Sequence, residues 1–173
     1  MKTLTKLLLA FASIISFLPL LVSAINYCPP FWTHYQLQKG TYCYRYFGEK
    51  TSWLEAEATC TNFTICEGKE TAHLVSIGSM EEEEFIVQYW QSMVGPFPGE
   101  RGVWIGYCKE YPEEDWKWTA PTGTTHQNWY PDKGPPRDDV GCAQQISAVY
   151  GRPYWDVSEC YDWHPFICKM RAM

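Results

Sequence analysis

Eight cysteines constrain this chain more than any other feature: Cys28, Cys43, Cys60, Cys66, Cys108, Cys142, Cys160 and Cys168. Structural zinc sites draw on C-x2-C pairs or closely spaced histidines. The nearest cysteines here, Cys60 and Cys66, have five residues between them, and His34, His73, His126 and His164 are scattered. Zinc is therefore rejected. An even cysteine count in an oxidising compartment reads as a disulfide framework.

The first residues give the compartment. Lys2 and Lys6 form a basic start, Leu7 to Leu21 is apolar with small residues and Pro19 inside it, and Val22-Ser23-Ala24 suits signal peptidase. A membrane anchor is the rival reading, but the run is short for a bilayer span. Residues 1–24 are expected to be a signal peptide, and 25–173 a single secreted, extracellular domain without membrane insertion. That length suits one core, and no repeat or linker divides it. The net charge is −6, and more acidic still once Lys2 and Lys6 leave. An acidic chain with no basic stripe excludes nucleic acid and anionic membranes as partners. Asn62-Phe63-Thr64 is a glycosylation sequon and predicts a surface position for Asn62.

Thr41 to Phe47 alternates aromatic and polar residues and predicts a strand. Ser52-Trp53-Leu54-Glu55 is a capping box that opens a helix. Residues 61–71 read as a loop and His73 to Ile77 as a short strand. Ser79-Met80-Glu81-Glu82 is a second capping box. The run Glu81 to Glu84 reads as a solvated first turn matched to the helix dipole, not as a metal site. Phe85, Ile86, Tyr89, Trp90 and Met93 recur at helical spacing and predict the buried face. Strands are expected at Val103–Tyr107, Trp116–Trp118, Cys142–Val149, Tyr154–Asp156 and Pro165–Met170. Thr119 to Gly141 has no period; a loop of that length in a compact domain is usually functional. Helices and strands do not alternate as βαβ units, so the class is α+β.

The order of these segments resembles a long-form C-type lectin-like domain. Cys28-Pro29-Pro30-Phe31-Trp32 with Tyr42-Cys43-Tyr44-Arg45-Tyr46-Phe47 is similar to its opening hairpin. Trp53-Leu54-Glu55-Ala56-Glu57 with Cys60 is similar to its first helix, and His73 to Ile77 with Ser79 to the junction before its second. Trp104-Ile105-Gly106 resembles its core strand; Trp155, Cys160 and Phe166-Ile167-Cys168 resemble its closing strands. The opening most resembles secreted lectins of marine invertebrates, echinoderms in particular. The resemblance implies the bonds Cys28–Cys43, Cys60–Cys168 and Cys142–Cys160. In the chain-entropy picture the long Cys60–Cys168 link would contribute the most, about 4–5 kcal/mol. Cys66 and Cys108 are left over and are expected to pair, or else one of them links subunits.

Calcium is the cofactor that the resemblance brings. It needs six to eight oxygen ligands, and the family pattern supplies them from three places, with sugar hydroxyls completing the shell. After Asn128-Trp129, where an acid-Pro-amide triplet is expected, stand Lys133-Gly134-Pro135 or, slipped by one, Gly134-Pro135-Pro136. Before Cys142 stand Val140-Gly141, and after Trp155 stand Asp156-Val157. Only Asp156 matches a ligand position, so no metal is expected in the usual site. A shifted site from Asp132, Asp138, Asp139 and Asp156 competes with solvated loop carboxylates, some paired with Arg137 or Lys133; the second reading is preferred.

The candidate ligand-contacting residues are therefore Lys133, Asp138, Asp139, Tyr154 and Asp156. Among the aromatics, Trp129 and Trp155 are expected beneath the loop. Tyr130, Tyr150 and Tyr154 are expected to face a ligand, since aromatic faces suit sugars and protein hot spots. No G-x-S-x-G or H-E-x-x-H occurs, and Glu113-Glu114 lies in a polar turn where nothing raises a pKa. The reading is a recognition protein, not an enzyme. It binds a glycan through a non-classical or degraded site or, alternatively, an extracellular protein or matrix; an oligomer stays open.

Overall fold

In the computed structural model, residues 28–65, 70–94, 102–131, 140–149 and 152–173 are described. The aromatic alternation forms β2 (Gly40–Thr51), longer than its signal, folded back on β1 (Thr33–Leu37) through a tight turn at Leu37 and Gly40. The Ser52 box is realised at the start of α1 (Trp53–Thr61): Ser52 Oγ accepts from the Glu55 amide, and the Glu55 carboxylate accepts from the Ser52 amide. Residues 61–71 are not all loop. Phe63 and Ala72 share a backbone hydrogen bond, and beside it β3 (Thr64–Ile65) pairs with β4 (Glu70–Thr71). Asn62 caps α1 and is exposed, as the sequon predicts.

The remaining elements are β5 (His73–Leu74), α2 (Met80–Val94), β6 (Gly102–Lys109), β7 (Lys117–Trp118), β8 (Gly141–Val149), β9 (Arg152–Ser158) and β10 (His164–Arg171). The main sheet runs β1-β2-β10-β6-β8-β9, with β5 on β10 and β7 on β6. Its pairs are antiparallel except β10 with β6, which run parallel at Phe166 and Trp104. Helices lie apart from an essentially antiparallel sheet, the α+β arrangement expected.

The Trp-Ile-Gly motif of β6 locks three elements together. The Trp104 indole donates to the Thr51 carbonyl, and the Trp53 indole of α1 donates to the Ile105 carbonyl. Gly106 donates to Val75 and accepts from Thr119, and a Cβ there would lie 2.6 Å from the Leu74 carbonyl. Only glycine allows that approach.

Three disulfides join Cys28–Cys43, Cys60–Cys168 and Cys142–Cys160, with Cα separations of 5.6, 5.4 and 5.0 Å. The expected fourth bond involves a residue that is not described; its other partner, Cys108, is a free, buried thiol. It sits inside the cluster that holds Cys60, Cys142 and Cys168, opposite Cys142, whose sulfur is already taken by Cys160. Cys66 lies outside the described residues.

Three expectations for α2 are corrected. Glu82 and Glu83 are buried, not solvated; only Glu81 and Glu84 face water. The second capping box is half formed: Ser79 Oγ accepts from the Glu82 amide, but the Glu82 carboxylate turns inward to the Gly78 amide. Met93 is 50% exposed. The buried stripe consists of Ile86, Val87, Tyr89 and Trp90, while Gln91, Ser92 and Met93 in the next turn are all exposed.

Candidate ligand site around Trp155

β9 carries the residues on which the site is built. The Trp155 amide donates to the Asn128 carbonyl, and the Tyr130 amide donates to the Trp155 carbonyl. The end of the long loop is thereby laid alongside β9 in a single parallel bridge between Trp129 and Trp155. Beneath it Trp129, Trp155, Trp118 and Trp116 gather around Tyr107, with ring centroids 4.6–5.9 Å from it. Trp155 is fully buried and Trp129 partly so, as expected of residues under the loop. Tyr130 and Tyr154 meet edge to face at 5.7 Å and are half-buried. Tyr150 lies outside the described residues.

Two carboxylates that the sequence reading left in solvent support this base. Glu83 accepts from Asn128 Nδ2 at 3.0 Å and lies 2.9 Å from His126 Nε2. Asn128 Nδ2 also reaches the Pro153 carbonyl at 2.7 Å. One carboxylate on α2 therefore ties down both the loop and β9. Burial raises the Glu83 pKa, and the hydrogen bonds from His126 and Asn128 only partly offset it. Glu82 accepts from the Tyr44 hydroxyl at 2.6 Å and pairs with Lys169 Nζ at 2.5 Å. Burial pushes the Tyr44 hydroxyl far above its ordinary pKa, and the Glu82 charge adds to it. Burial depresses Lys169, against the pull of Glu82. The signal for these roles was helical spacing: Glu82 and Glu83 stand four and three residues before buried Ile86, on the inward face of α2.

Of the expected contact residues, Tyr154 and Asp156 are described; Lys133, Asp138 and Asp139 lie outside the described residues, as does Asp132. Asp156 Oδ1 accepts from the Val157 amide. Val157 leans over Gly141, where a Cβ would lie 2.6 Å from Val157 Cγ1. Val140 is exposed. Among the described residues no three acidic, His or Cys side chains converge on a common point. Apolar carbon thus stands at two ligand positions, and the described residues do not fit a calcium ion. Beside β9 a cleft of about 600 Å3 opens between α2 and the strand, lined by Glu84, Gln88, Gln91, Asn128, Arg152 and Tyr154.

This geometry has known counterparts, and the Lectin C-type domain profile matches residues 49–170. The chain belongs to the C-type lectin family. An α-N-acetylgalactosamine-specific lectin of the starfish Patiria pectinifera is 32% identical over 147 residues, covering 83% of this chain and 82% of the relative. The C-type lectin CEL-I of the sea cucumber Cucumaria echinata superposes with a TM-score of 0.71 at 23% identity, over 86% of this chain and all of that one. That likeness shows the fold. A calcium-independent type II antifreeze protein superposes with a TM-score of 0.63 at 30% identity, over 85% and 96% of the two chains. The three disulfides and the buried tryptophans form the framework of the domain, with Val140 just before β8 and Asp156 and Val157 on β9. No helix among the described residues is long and apolar enough to cross a membrane.

Proposed function

We propose that this chain is a secreted recognition protein, not an enzyme, that binds carbohydrate without the calcium-dependent mode of its family. The reading is carried by Val157: on β9, packed over Gly141, it puts a methyl group where the second carboxylate is required. Sugar recognition then falls to direct hydrogen bonds and aromatic contact. The cleft beside Tyr154 offers the amides of Gln88 and Gln91 and the charges of Glu84 and Arg152 for hydroxyl groups. The similarity to a GalNAc-specific starfish lectin supports a saccharide as the ligand class. Three disulfides fit an oxidising, extracellular location, and the exposure of Asn62 fits its glycosylation there.

The test is a glycan array on the mature protein, with calcium and with EDTA. Binding unchanged by EDTA, and weakened by Tyr154→Ala or Arg152→Ala, is the expected result. Binding abolished by EDTA would overturn the reading.

One observation favours a protein or matrix partner instead. Tyr161 and Trp163, 72% and 70% exposed, stand together in the turn between β9 and β10, and exposed aromatic residues of this kind anchor protein interfaces. The likeness to a calcium-independent antifreeze protein is compatible with this reading too. An array with no glycan bound, and a binding partner lost on Trp163→Ala, would favour it.

A further inference from the structure

The sequence has no basic stripe, yet the fold builds a basic groove. Its parts are far apart in the chain. Lys39 sits in the β1–β2 turn, His73 on β5, and Lys169 and Arg171 on β10. Residues two apart on a strand share a face, so Lys169 and Arg171 point the same way. His73 lies directly across from Lys169, and Tyr42 directly across from Arg171. The Arg171 guanidinium lies 3.9 Å from the Cβ position of Gly40, next to Lys39. These side chains, with the segment 120–123, line a groove of about 540 Å3.

Charge in this groove is one-sided. The whole chain carries 20 acidic against 14 basic residues, but no carboxylate is found among the described residues that line it. Two carboxylates next to the groove, Glu57 and Glu82, are already occupied. Glu57 holds His73 Nδ1, and Glu82 holds Lys169. Lys39 and Arg171 are exposed and have no carboxylate partner among the described residues. The lining also offers the hydroxyls of Thr71, Ser76 and Thr122. Past Lys39, Tyr42, Thr122 and Lys169, which the two spaces share, the groove continues into a second hollow of about 360 Å3 at the start of α2. There Glu81 and Glu82 join the lining, so negative charge is tolerated at one end only.

We infer that this groove binds an anionic saccharide, with a sulfate or carboxylate group held between Lys39 and Arg171 and neutral sugar running toward α2. Around Lys39 and Arg171 it shares no lining residue with the cleft beside Tyr154, and its extension toward α2 shares only Met80, so it stands or falls independently of the function proposed above. Two free cations flanking hydroxyl groups match an anionic group on a polyhydroxyl chain. Sequestering Lys169 with Glu82 leaves that pair as a fixed floor and Lys39 and Arg171 as the contacts.

The test is retention of the mature full-length protein on dextran sulfate, carboxymethyl dextran and plain dextran at physiological salt. Retention on one or both anionic matrices and not on plain dextran is expected. Loss of two charge contacts in Lys39→Glu/Arg171→Glu should weaken it by about tenfold or more. Both residues are exposed, so the fold should persist, with circular dichroism as the check. Lys117→Glu makes the same kind of charge change on β7, outside the groove, and should change retention less than twofold. Which anionic matrix retains the protein separates sulfate from carboxylate. Equal retention of the double variant and the unaltered protein would overturn the inference, as would absence of retention on both anionic matrices. Binding of neutral glycans should be the same in the double variant.

Discussion

Glu83 Oε2 lies 2.9 Å from His126 Nε2, and this contact joins the inward face of α2 to the long loop. The carboxylate is fully buried, while the imidazole keeps a little contact with water. Burial raises the Glu83 pKa, so the folded state holds this proton more tightly than the unfolded chain. The sign follows from proton linkage. Stability is greatest below the unfolded carboxylate pKa and is lost as pH rises from there through the raised folded value. Glu83→Gln removes that titration. Urea denaturation at a series of pH values should show the variant gaining on the parent across this window. A pH-independent difference between the two would contradict it. Glu83→Ala should destabilise at every pH, by about 1–3 kcal/mol for each donor left unpaired, and His126 and Asn128 are both left.

The Glu82–Lys169 pair makes a sharper test of a buried charge. Lys169 Nζ also donates to the Ser76 carbonyl at 2.8 Å and lies 4.4 Å from the centroid of the Tyr42 ring. Lys169→Met leaves Glu82 buried without its cation, at a cost of about 3–5 kcal/mol. Lys169→Met with Glu82→Gln removes both charges and should recover most of that loss. Denaturation midpoints of the two single variants and the double variant read the coupling. Strict additivity would mean that the pair does not act as a unit.

Much of this was legible before any coordinates. Ser52 and Glu55 cap α1 because a local pattern decides a local contact. The tryptophans of β6 and β9 lie in the core as their apolar context requires. The paired cysteines follow the order of elements, since a disulfide framework is a property of topology. What stayed hidden depends on elements distant in sequence. Glu82 and Glu83 carry charge, and charge alone reads as surface; their burial requires Tyr44, Lys169, His126 and Asn128 to arrive from three other segments. Lys39 and Arg171 form a groove only because β10 is paired with β2. The ligand site was half legible: Val157 could be read as an apolar replacement, but its seat over Gly141 is a cross-strand fact.

Cys108 should be chemically silent in the folded protein. Burial, helped by the nearby Glu110 charge, pushes its thiol up to about 12, and the thiolate is the reactive form. Iodoacetamide at mildly alkaline pH should leave it unmodified, while the same treatment in denaturant without reductant should label it. Mass spectrometry of the Cys108 peptide reads both. If the thiol instead pairs with Cys66, as the even cysteine count led us to expect, the denatured and unreduced protein takes no label there and a Cys66–Cys108 cross-linked peptide is found.

Gly106→Ala tests the close approach at the centre of the sheet. The added methyl group would stand 2.6 Å from the Leu74 carbonyl and 2.9 Å from Thr119 Oγ1. The first is backbone held by the β5–β10 pairing, so it cannot swing aside. Overpacking of this kind costs about 1–3 kcal/mol. A matching drop in the denaturation midpoint is expected, with the Gly106 to Val75 hydrogen bond weakened. A variant as stable as the parent would show that β5 yields, and the Trp-Ile-Gly motif would lose its steric explanation.

Calcium removal gives the last test, and it reads stability instead of binding. A ligand that binds only the folded state stabilises it by RT ln(1 + [L]/Kd). A millimolar concentration of calcium on a micromolar site would therefore contribute about 4 kcal/mol, easily seen as a rise in melting temperature. With Val140 and Val157 apolar, the described part of the site offers one matching carboxylate, Asp156, and one carboxylate cannot supply six to eight oxygens. The melting temperature of the parent should be the same in calcium and in EDTA. Val157→Asp alone should not change that, because the Val140 position stays apolar. It should instead lower stability in both buffers, since it places a charge against Gly141 and the Trp116 ring, whose edge lies 3.9 Å from the Gly141 Cβ position. A calcium-dependent rise of several degrees in the parent would mean that the carboxylates of the long loop complete a shifted site around Asp156.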